Sequence, residues 1–267
     1  MRSFFVRCAL VLCLLVIAAC GGSDARKTER AQQLVVGMEL SYPPFEMLDE
    51  KGQPAGIGVD LARALAEHLH KELKILNIPF DSLITSLKTG RIDLIISSMT
   101  ATSERAESID LSEPYIRTGI AILANAKTDI RSIEDIDKPG RIVTTKTGTT
   151  GYLYAKSHFT QATVRVLPEE ANCALEVSQG KADAFLFDQM AIYQQGRKYP
   201  GTTRALLEPF QKESWAIGIR KGNEELRAQV NAFLEDFRAH KGLEALGEKY
   251  LRADKDAFAK MGYPFSS

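Results

Sequence analysis

The sequence predicts an α/β protein of two lobes with parallel sheets, joined by a two-strand hinge. Three observations support this prediction. From Leu34 onward, short β-rich runs alternate with helical patterns, as they do in parallel α/β units. A short pattern at residues 90–95 recurs at residues 180–185, which indicates two lobes of similar build. Two further strand-like segments, residues 117–123 and 214–220, are expected to carry the chain from one lobe to the other and back.

The elements of the first lobe follow from the spacing of apolar residues. Residues 34–38 predict the first strand, and leucines spaced four apart within residues 61–69 predict a helix with one apolar stripe. Gly90 is expected to end a later helix in the left-handed conformation. Residues 92–96 then form a strand that is apolar enough to be buried on both faces.

The repeated pattern places polar groups at the ends of two buried strands. Each copy reads Gly-basic-apolar-Asp, beginning at Gly90 and at Gly180. The first strand runs out at Ser97 and Ser98, and the second at Phe187 and Asp188. Open parallel sheets bind ligands beyond the carboxyl ends of their strands, so these donors and this carboxylate are expected to face one cleft. The alternative is two unrelated turns that share a short pattern.

The predicted crossovers set the domain boundaries. Lobe 1 is expected to comprise residues 34–118 and 215–267, and lobe 2 residues 119–214. After the second crossover, Asn223 caps the first of the closing helices. A double crossover of this kind makes a hinge between the lobes.

The first 33 residues predict export and a lipid anchor. Residues 1–19 join a charged start to an apolar stretch that is too short to span a membrane, as in a signal peptide. Small residues precede Cys20 in a pattern that looks like the lipobox of bacterial lipoproteins, whose cysteine carries the lipid. Residues 20–33 then comprise the lipidated cysteine and a flexible tether. We expect an extracytoplasmic protein in the periplasmic space that contacts the membrane only through this lipid.

Composition excludes several other classes of protein. The formal net charge is 0 over 34 basic and 34 acidic residues, and becomes about −2 when Arg2 and Arg7 leave with the signal, so nucleic acid is not an expected partner. Of four cysteines, Cys173 alone remains as a free thiol in the predicted mature protein, and we expect it to be buried. The four histidines are not spaced to hold a metal, and we expect no metal and no cofactor.

Two loops carry groups that suit an anion. Residues 97–105 place hydroxyls and the Arg105 guanidinium just past a buried strand, where a carboxylate would find charge-assisted hydrogen bonds. Helix capping by Thr102 or Ser103 explains the same hydroxyls equally well. Residues 146–151 form a glycine-bearing loop between a strand and a helix, whose free amides attract anions or simply make a capped turn.

Five segments together resemble the polar-amino-acid-binding proteins of bacterial ABC importers, which are the solute-binding proteins of family 3. The segments lie in order between about Leu34 and Leu251, at residues 42–46, 56–61, 97–105, 148–151 and 182–188. The resemblance implies a bilobed periplasmic-binding-protein-like fold. It also implies that the cleft closes around an amino acid, which is then delivered to an ABC permease complex in the membrane. We expect the binding protein to be a monomer.

The resemblance assigns a role to nine residues. It implies that Arg105 pairs with the ligand α-carboxylate and Asp188 with the α-ammonium. The remaining positions comprise helpers of Arg105, aromatic walls, and a reader of the side-chain tip. The helpers are Ser98, Thr100 and the amides of Thr149 and Thr150, the walls are Tyr42 and Phe80, and the reader is Glu39. An acidic Glu39 beside aromatic rings favours a cationic side chain such as that of arginine, lysine or ornithine. Alternatively, Glu39 faces solvent or meets a glutamine amide.

Two departures from the family pattern leave the identity of the ligand open. Ile57-Gly58 stands where family members often have Phe-Asp, and Ser97-Ser98 stands where others have Ser-Gly or Ala-Gly. Two other functions also remain. Cyclohexadienyl dehydratases resemble these binders but place a glutamate three residues after the aspartate, where this chain has Ala191. Amino-acid sensors reuse the fold, but no apolar run of about 18 residues follows Cys20, so we expect a separate protein to receive the ligand.

Overall fold

Strands and helices alternate along the computed structural model, which describes residues 32–260. The predicted signal peptide, Cys20 and nearly all of the predicted tether therefore lie outside the described residues, as do residues 261–267. The strands are β1 (Gln33–Met38), β2 (Met47–Leu48), β3 (Pro54–Ala55), β4 (Glu72–Asn77), β5 (Leu94–Ile95), β6 (Asp110–Leu111), β7 (Ile116–Asn125), β8 (Ile142–Lys146), β9 (Thr163–Leu167), β10 (Ala184–Asp188), β11 (Thr203–Trp215) and β12 (Gly218–Ile219). The α-helices are α1 (Ile57–His68), α2 (Leu83–Lys88), α3 (Ser103–Ser108), α4 (Thr150–His158), α5 (Glu170–Ser178), α6 (Gln189–Lys198), α7 (Glu224–Ala239) and α8 (Gly242–Lys260).

Two five-stranded sheets form the centres of two lobes, which confirms the predicted α/β class. The first sheet has the order β4-β1-β5-β12-β6 and the second the order β11-β7-β10-β8-β9. In each sheet three strands run parallel, as expected, and two run antiparallel to a neighbour. The antiparallel strands of the second sheet are the crossovers β7 and β11. Parallel neighbours require a long return connection, usually a helix, and a strand that arrives directly from the other lobe has none.

The sequence repeat corresponds to one structural module in both lobes. Gly90 and Gly180 have φ values of +78° and +73° and follow α2 and α5. In lobe 1 the Asp93 amide donates to Val35 O at 2.7 Å, and the Asp93 carboxylate accepts from Val35 N at 2.9 Å. Asp183 makes the same two bonds to the main chain of Ile142, at 2.7 and 2.8 Å. Each aspartate thus fixes the strand that leads to the cleft against the neighbouring strand.

Both faces of each sheet are buried. Along β1, Val36 packs into one apolar cluster and Val35 into another on the opposite face, and Ile122 and Leu123 divide in the same way along β7. Helices therefore cover both sides of each sheet, which is why the central strands read as continuous apolar runs. Cys173 is buried in the core of lobe 2 as a free thiol, as predicted, and its burial raises its pKa to about 12.

The two crossovers pair with each other as antiparallel strands. β7 and β11 are in register from Ile116 opposite Trp215 to Ile120 opposite Gln211, and the register shifts between Leu206 and Gln211. The predicted lobe boundaries at 118/119 and 214/215 fall within these two strands. Since β7 and β11 also belong to the second sheet, the division of the chain into lobes at those residues stays a prediction. None of the helices within residues 32–260 has the length and apolar character needed to cross a bilayer.

Candidate functional site

One cleft collects all nine residues that the sequence singled out. It lies between the two lobes, and residues of both line it. The predicted residues along its walls are Glu39, Tyr42, Phe80, Ser98, Thr100, Arg105, Thr149, Thr150 and Asp188. The sequence did not single out several other lining residues, which include Glu46, Lys146, Phe187, Glu213 and Trp215. Two cationic side chains and four acidic ones therefore face the same space.

Arg105 is held at the start of α3 by both lobes. Thr102 caps this helix by accepting from the Arg105 amide at 3.1 Å, so the capping expectation is confirmed. The guanidinium donates to Thr100 O at 2.7 Å and, across the cleft, to Gly148 O at 3.0 Å. Its centre lies 5.4 Å from the Phe80 ring centroid. Burial lowers the pKa of Arg105 to about 10, so the charge is kept at neutral pH inside a partly dry site.

Asp188, which is predicted to bind the ligand ammonium, also has a structural role. It ends β10 and caps α6, since its Oδ1 accepts from the amides of Met190 and Ala191 at 3.0 and 3.3 Å. Its Oδ2 accepts from the Tyr42 hydroxyl of the opposite lobe. Burial raises the pKa of Asp188 to about 6, while these hydrogen bonds favour the charged form.

The glycine-bearing loop leads directly into α4, which begins at Thr150. The Thr149 amide and hydroxyl both bond to Lys146 O, at 3.3 and 2.8 Å, and close a turn. Gly148 adopts a φ of +74°, and a Cβ there would come within 3.2 Å of Asp81. The loop is thus a tight turn, as one of the two readings expected, and Thr149 and Thr150 line the cleft. Binding of an anion by the loop amides stays a prediction.

Glu213 accepts hydrogen bonds from the hydroxyls of Thr100 and Thr150, two residues that the resemblance places beside a ligand carboxylate, Thr150 through its amide. Its Oε2 accepts from Thr100 Oγ1 and from Thr150 Oγ1, each at 2.9 Å. Its negative charge also raises the pKa of Arg105 against the effect of burial. Sequence reasoning missed Glu213 because its partners lie 113 and 63 residues away. The only signal was its position beside the second crossover segment.

Glu39 does not face solvent but pairs with a lysine from the other lobe. Lys146, the last residue of β8, donates to Glu39 Oε2, and both side chains are largely buried. Glu39 Oε1 accepts from the Phe80 amide at 3.2 Å. Lys146 also stands at the end of a strand before a loop, which is the same signal that identified Asp188. The position of Lys146 at a strand end could therefore have identified it as a cleft residue, although its spacing from other residues could not.

Glu46 also lines the cleft, and within residues 32–260 no cationic side chain is hydrogen-bonded to it. It is 1 % exposed and accepts from Ser98 Oγ at 2.9 and 3.1 Å. A Cβ at Gly58 would lie 2.2 Å from Glu46 Oε1, so the glycine that departs from the family pattern makes room for this carboxyl. Burial raises the pKa of Glu46 to about 8, so it is mostly protonated at neutral pH.

This buried acid predicts a particular dependence of stability on pH. Its pKa is near 4.5 in the unfolded chain and about 8 in the fold, so the folded protein holds an extra proton between these values. Stability from this group is present below about pH 4.5 and is lost as pH rises towards 8. We expect Glu46→Gln, which is neutral at every pH, to flatten the fall in melting temperature between pH 6 and pH 8. An unchanged slope in calorimetry would contradict the assignment.

An aromatic cluster forms the wall beside Asp188. Tyr42 stacks on Phe45 at 5.2 Å between centroids and meets the edges of Phe187 and Trp215 at 5.7 and 6.2 Å. Tyr42 lines the cleft and directs its hydroxyl to Asp188. Its role as a wall for a ligand side chain stays a prediction. Phe80 forms a wall on the other side, below the two cationic groups of Arg105 and Lys146.

Comparison with known proteins identifies the family. The sequence model of the bacterial extracellular solute-binding proteins, family 3, matches residues 34–253. The chain belongs to this family. It is 30% identical to the L-cystine-binding protein TcyJ of Escherichia coli (strain K12) over 230 residues, covering 85% of this chain and 86% of that protein. It is also 30% identical to the L-arginine-binding protein of Pseudomonas aeruginosa, over 82% of this chain and 88% of the relative.

A solved structure extends the comparison for this family 3 protein. The crystal structure of the ancestral amino acid-binding protein AncCDT-1, a precursor of cyclohexadienyl dehydratase, matches with a TM-score of 0.77 and 32% identity. The match covers 84% of this chain and 98% of that one. The bilobed fold expected from the sequence is therefore shared with amino-acid-binding members of the family.

Proposed function

We propose that this family 3 solute-binding protein binds a free amino acid between its lobes and delivers it to an ABC permease complex. The observation that carries the proposal is that Arg105, from lobe 1, and Asp188, from lobe 2, line the same cleft. A free amino acid carries a carboxylate and an ammonium a short distance apart. A site with one cation and one anion fixed on opposite lobes recognises both groups at once and gains most when the cleft is closed.

The α-carboxylate binds Arg105 together with the hydroxyls of Thr100 and Thr150. In the structure these two hydroxyls donate to Glu213, so the ligand takes them over from a carboxylate of the chain itself. The ligand carboxylate replaces the Glu213 carboxylate as the acceptor, so both hydroxyls keep a hydrogen bond. The Thr150 amide completes this end of the site. The two other expected helpers do not donate here as the fold stands, because the Thr149 amide bonds to Lys146 O and the Ser98 hydroxyl bonds to Glu46. The α-ammonium binds Asp188, whose position α6 and Tyr42 have already fixed.

Binding without catalysis fits the residues beside Asp188 better than a dehydratase does. The dehydratase pattern places an acid three residues after this aspartate, and the chain has Ala191 there, with a buried methyl group. AncCDT-1 is an ancestral amino acid-binding protein and a precursor of such an enzyme, so the fold alone does not decide between the two. We expect no turnover of prephenate or arogenate.

The names of relatives and the predicted signal peptide and lipobox support a proposal for the cellular setting. Relatives that include the histidine-binding periplasmic protein of Escherichia coli place such proteins outside the cytoplasm. We propose that Cys20 carries a lipid that anchors an otherwise water-exposed monomer to the membrane, close to its permease. Mass spectrometry of the membrane fraction, with Cys20→Ala as the comparison, tests this anchor.

A thermal-shift screen tests the binding function. The purified protein is heated with each of the twenty amino acids, with ornithine and with L-cystine. We expect one chemical group of amino acids to raise the melting temperature in proportion to the logarithm of its concentration, because a ligand that binds only the folded state stabilises it by mass action. If no amino acid shifts the transition at millimolar concentration, the proposed function is wrong.

A further inference from the structure

The end of the cleft beyond Phe80 carries a second pair of opposite charges. Glu39 and Lys146 come from different lobes and form an ion pair whose side chains are only 12% and 5% exposed. Both line the cleft that holds Arg105 and Asp188. If Arg105 and Asp188 hold the amino-acid head, the side chain of the ligand is left to meet the other groups that line the cleft, and this buried ion pair is among them.

A ligand side chain with a net charge does not suit this pair. A basic side chain satisfies Glu39 but takes away the partner of Lys146, and it brings a like charge next to that ammonium. An acidic side chain satisfies Lys146 and isolates Glu39 in the same way. Leaving one member of a buried pair uncompensated is strongly unfavourable. The sequence favoured a basic ligand because of Glu39 alone. Since Lys146 already neutralises Glu39, that reason no longer holds.

A side chain that offers both a donor and an acceptor satisfies both residues at once. We propose that the ligand is an amino acid whose side chain ends in a net-neutral group with both functions, and that Glu39 and Lys146 read this group. The inference rests on the proposed function, since it assumes that Arg105 and Asp188 hold the amino-acid head. Glu39 accepts from the donor of the side chain, and Lys146 donates to its acceptor.

Two kinds of side chain have this chemistry. A carboxamide, as in L-glutamine, offers an N–H group and a carbonyl oxygen. A second amino-acid head, as in L-cystine, offers an ammonium and a carboxylate. The room for the longer ligand lies beyond the pair, where a second space continues from Glu39, Phe80 and Lys146 to Asn77 and Thr147. The backbone amide of Phe80 fixes Glu39 Oε1 between the two spaces at 3.2 Å.

Calorimetric titration of the purified protein tests the inference with four probes. We expect L-glutamine or L-cystine to bind at least tenfold more tightly than both L-arginine and L-glutamate. The tighter-binding of these two shows whether Glu39 and Lys146 bind a carboxamide or the second ammonium and carboxylate of L-cystine. If L-arginine or L-glutamate binds most tightly, the inference is overturned while the proposed function stands. If none of the four probes binds and the thermal-shift screen also finds no amino acid that binds, the proposed function itself fails.

Two variants give opposite switches that a merely structural pair would not produce. Lys146→Met should weaken the preferred ligand at least tenfold and strengthen L-arginine, because the repelling ammonium is gone. Glu39→Gln should weaken the same ligand and strengthen L-glutamate. The double variant keeps the site neutral and should bind L-arginine and L-glutamate about equally. The exposed Lys88→Met is the matched control and should change no affinity. Equal losses for all four probes in both single variants would overturn the inference.

Discussion

Arg105→Ala is expected to lower the affinity for the amino acid by at least about a hundredfold. The ligand carboxylate loses two charge-assisted hydrogen bonds, each worth roughly 1.5 to 3 kcal/mol, and about 1.4 kcal/mol corresponds to a factor of ten. Glu213 then faces the ligand carboxylate without the intervening cation. Titration calorimetry with the ligand found by the thermal-shift screen measures the loss.

The same substitution should change the melting temperature of the free protein by no more than about 3 °C, which is ~1 kcal/mol for a chain of this size. The guanidinium stabilises the fold by donating to two main-chain carbonyls, but burying its charge costs solvation free energy, as its lowered pKa shows. The two effects of the substitution on stability therefore largely offset each other. Arg91→Ala removes an exposed arginine from the repeated module and is the matched control. Wild-type affinity in Arg105→Ala would show that the carboxylate binds elsewhere.

Asp188→Asn is expected to weaken binding about 10- to 100-fold without loosening α6. Asparagine keeps an oxygen to cap the amides of Met190 and Ala191, so the helix start survives, while the charge that holds the ammonium is removed. Asp188→Ala deletes the cap as well and should also lower the melting temperature. The comparison separates the binding role of Asp188 from its structural one.

The wild-type protein should also bind more weakly in acid. The pKa of Asp188 is raised to about 6, so protonation between pH 7 and pH 5 removes the anion that the ammonium needs. Affinity should fall about tenfold per pH unit once pH is below this value and the bound aspartate stays ionised. In Asp188→Asn this fall should disappear. The same pH dependence in both proteins would contradict the role given to Asp188.

Local signals in the sequence were sufficient to predict the two lobes and the strand ends that face the cleft, whereas the roles of the nine cleft residues came from the resemblance to the family. Gly90 and Gly180 end helices within a few residues of the strands that they precede, and Asp93 and Asp183 make identical main-chain contacts in the two lobes. Once each strand was placed, the ends of the strands indicated the cleft. This local pattern was enough to bring Arg105 and Asp188 to one site.

Contacts between the lobes could not be predicted in the same way. Glu213 reaches Thr100 and Thr150 only through the register of β11 with β7, and no short-range pattern fixes that register. Lys146 meets Glu39 across 107 residues, and the pair exists only when the lobes are together. These two contacts change the chemistry of the site most, because one supplies an internal carboxylate and the other alters which side chains the cleft accepts.

A crystal structure of the protein with its tightest-binding amino acid tests the central claim most directly. The account predicts a ligand whose carboxylate is within hydrogen-bond distance of the Arg105 guanidinium and the Thr100 and Thr150 hydroxyls, with its ammonium on Asp188. Glu213 would have turned away from both hydroxyls. A ligand that contacts only one lobe, or one whose ammonium lies at Arg105 and whose carboxylate lies at Asp188, would contradict the account.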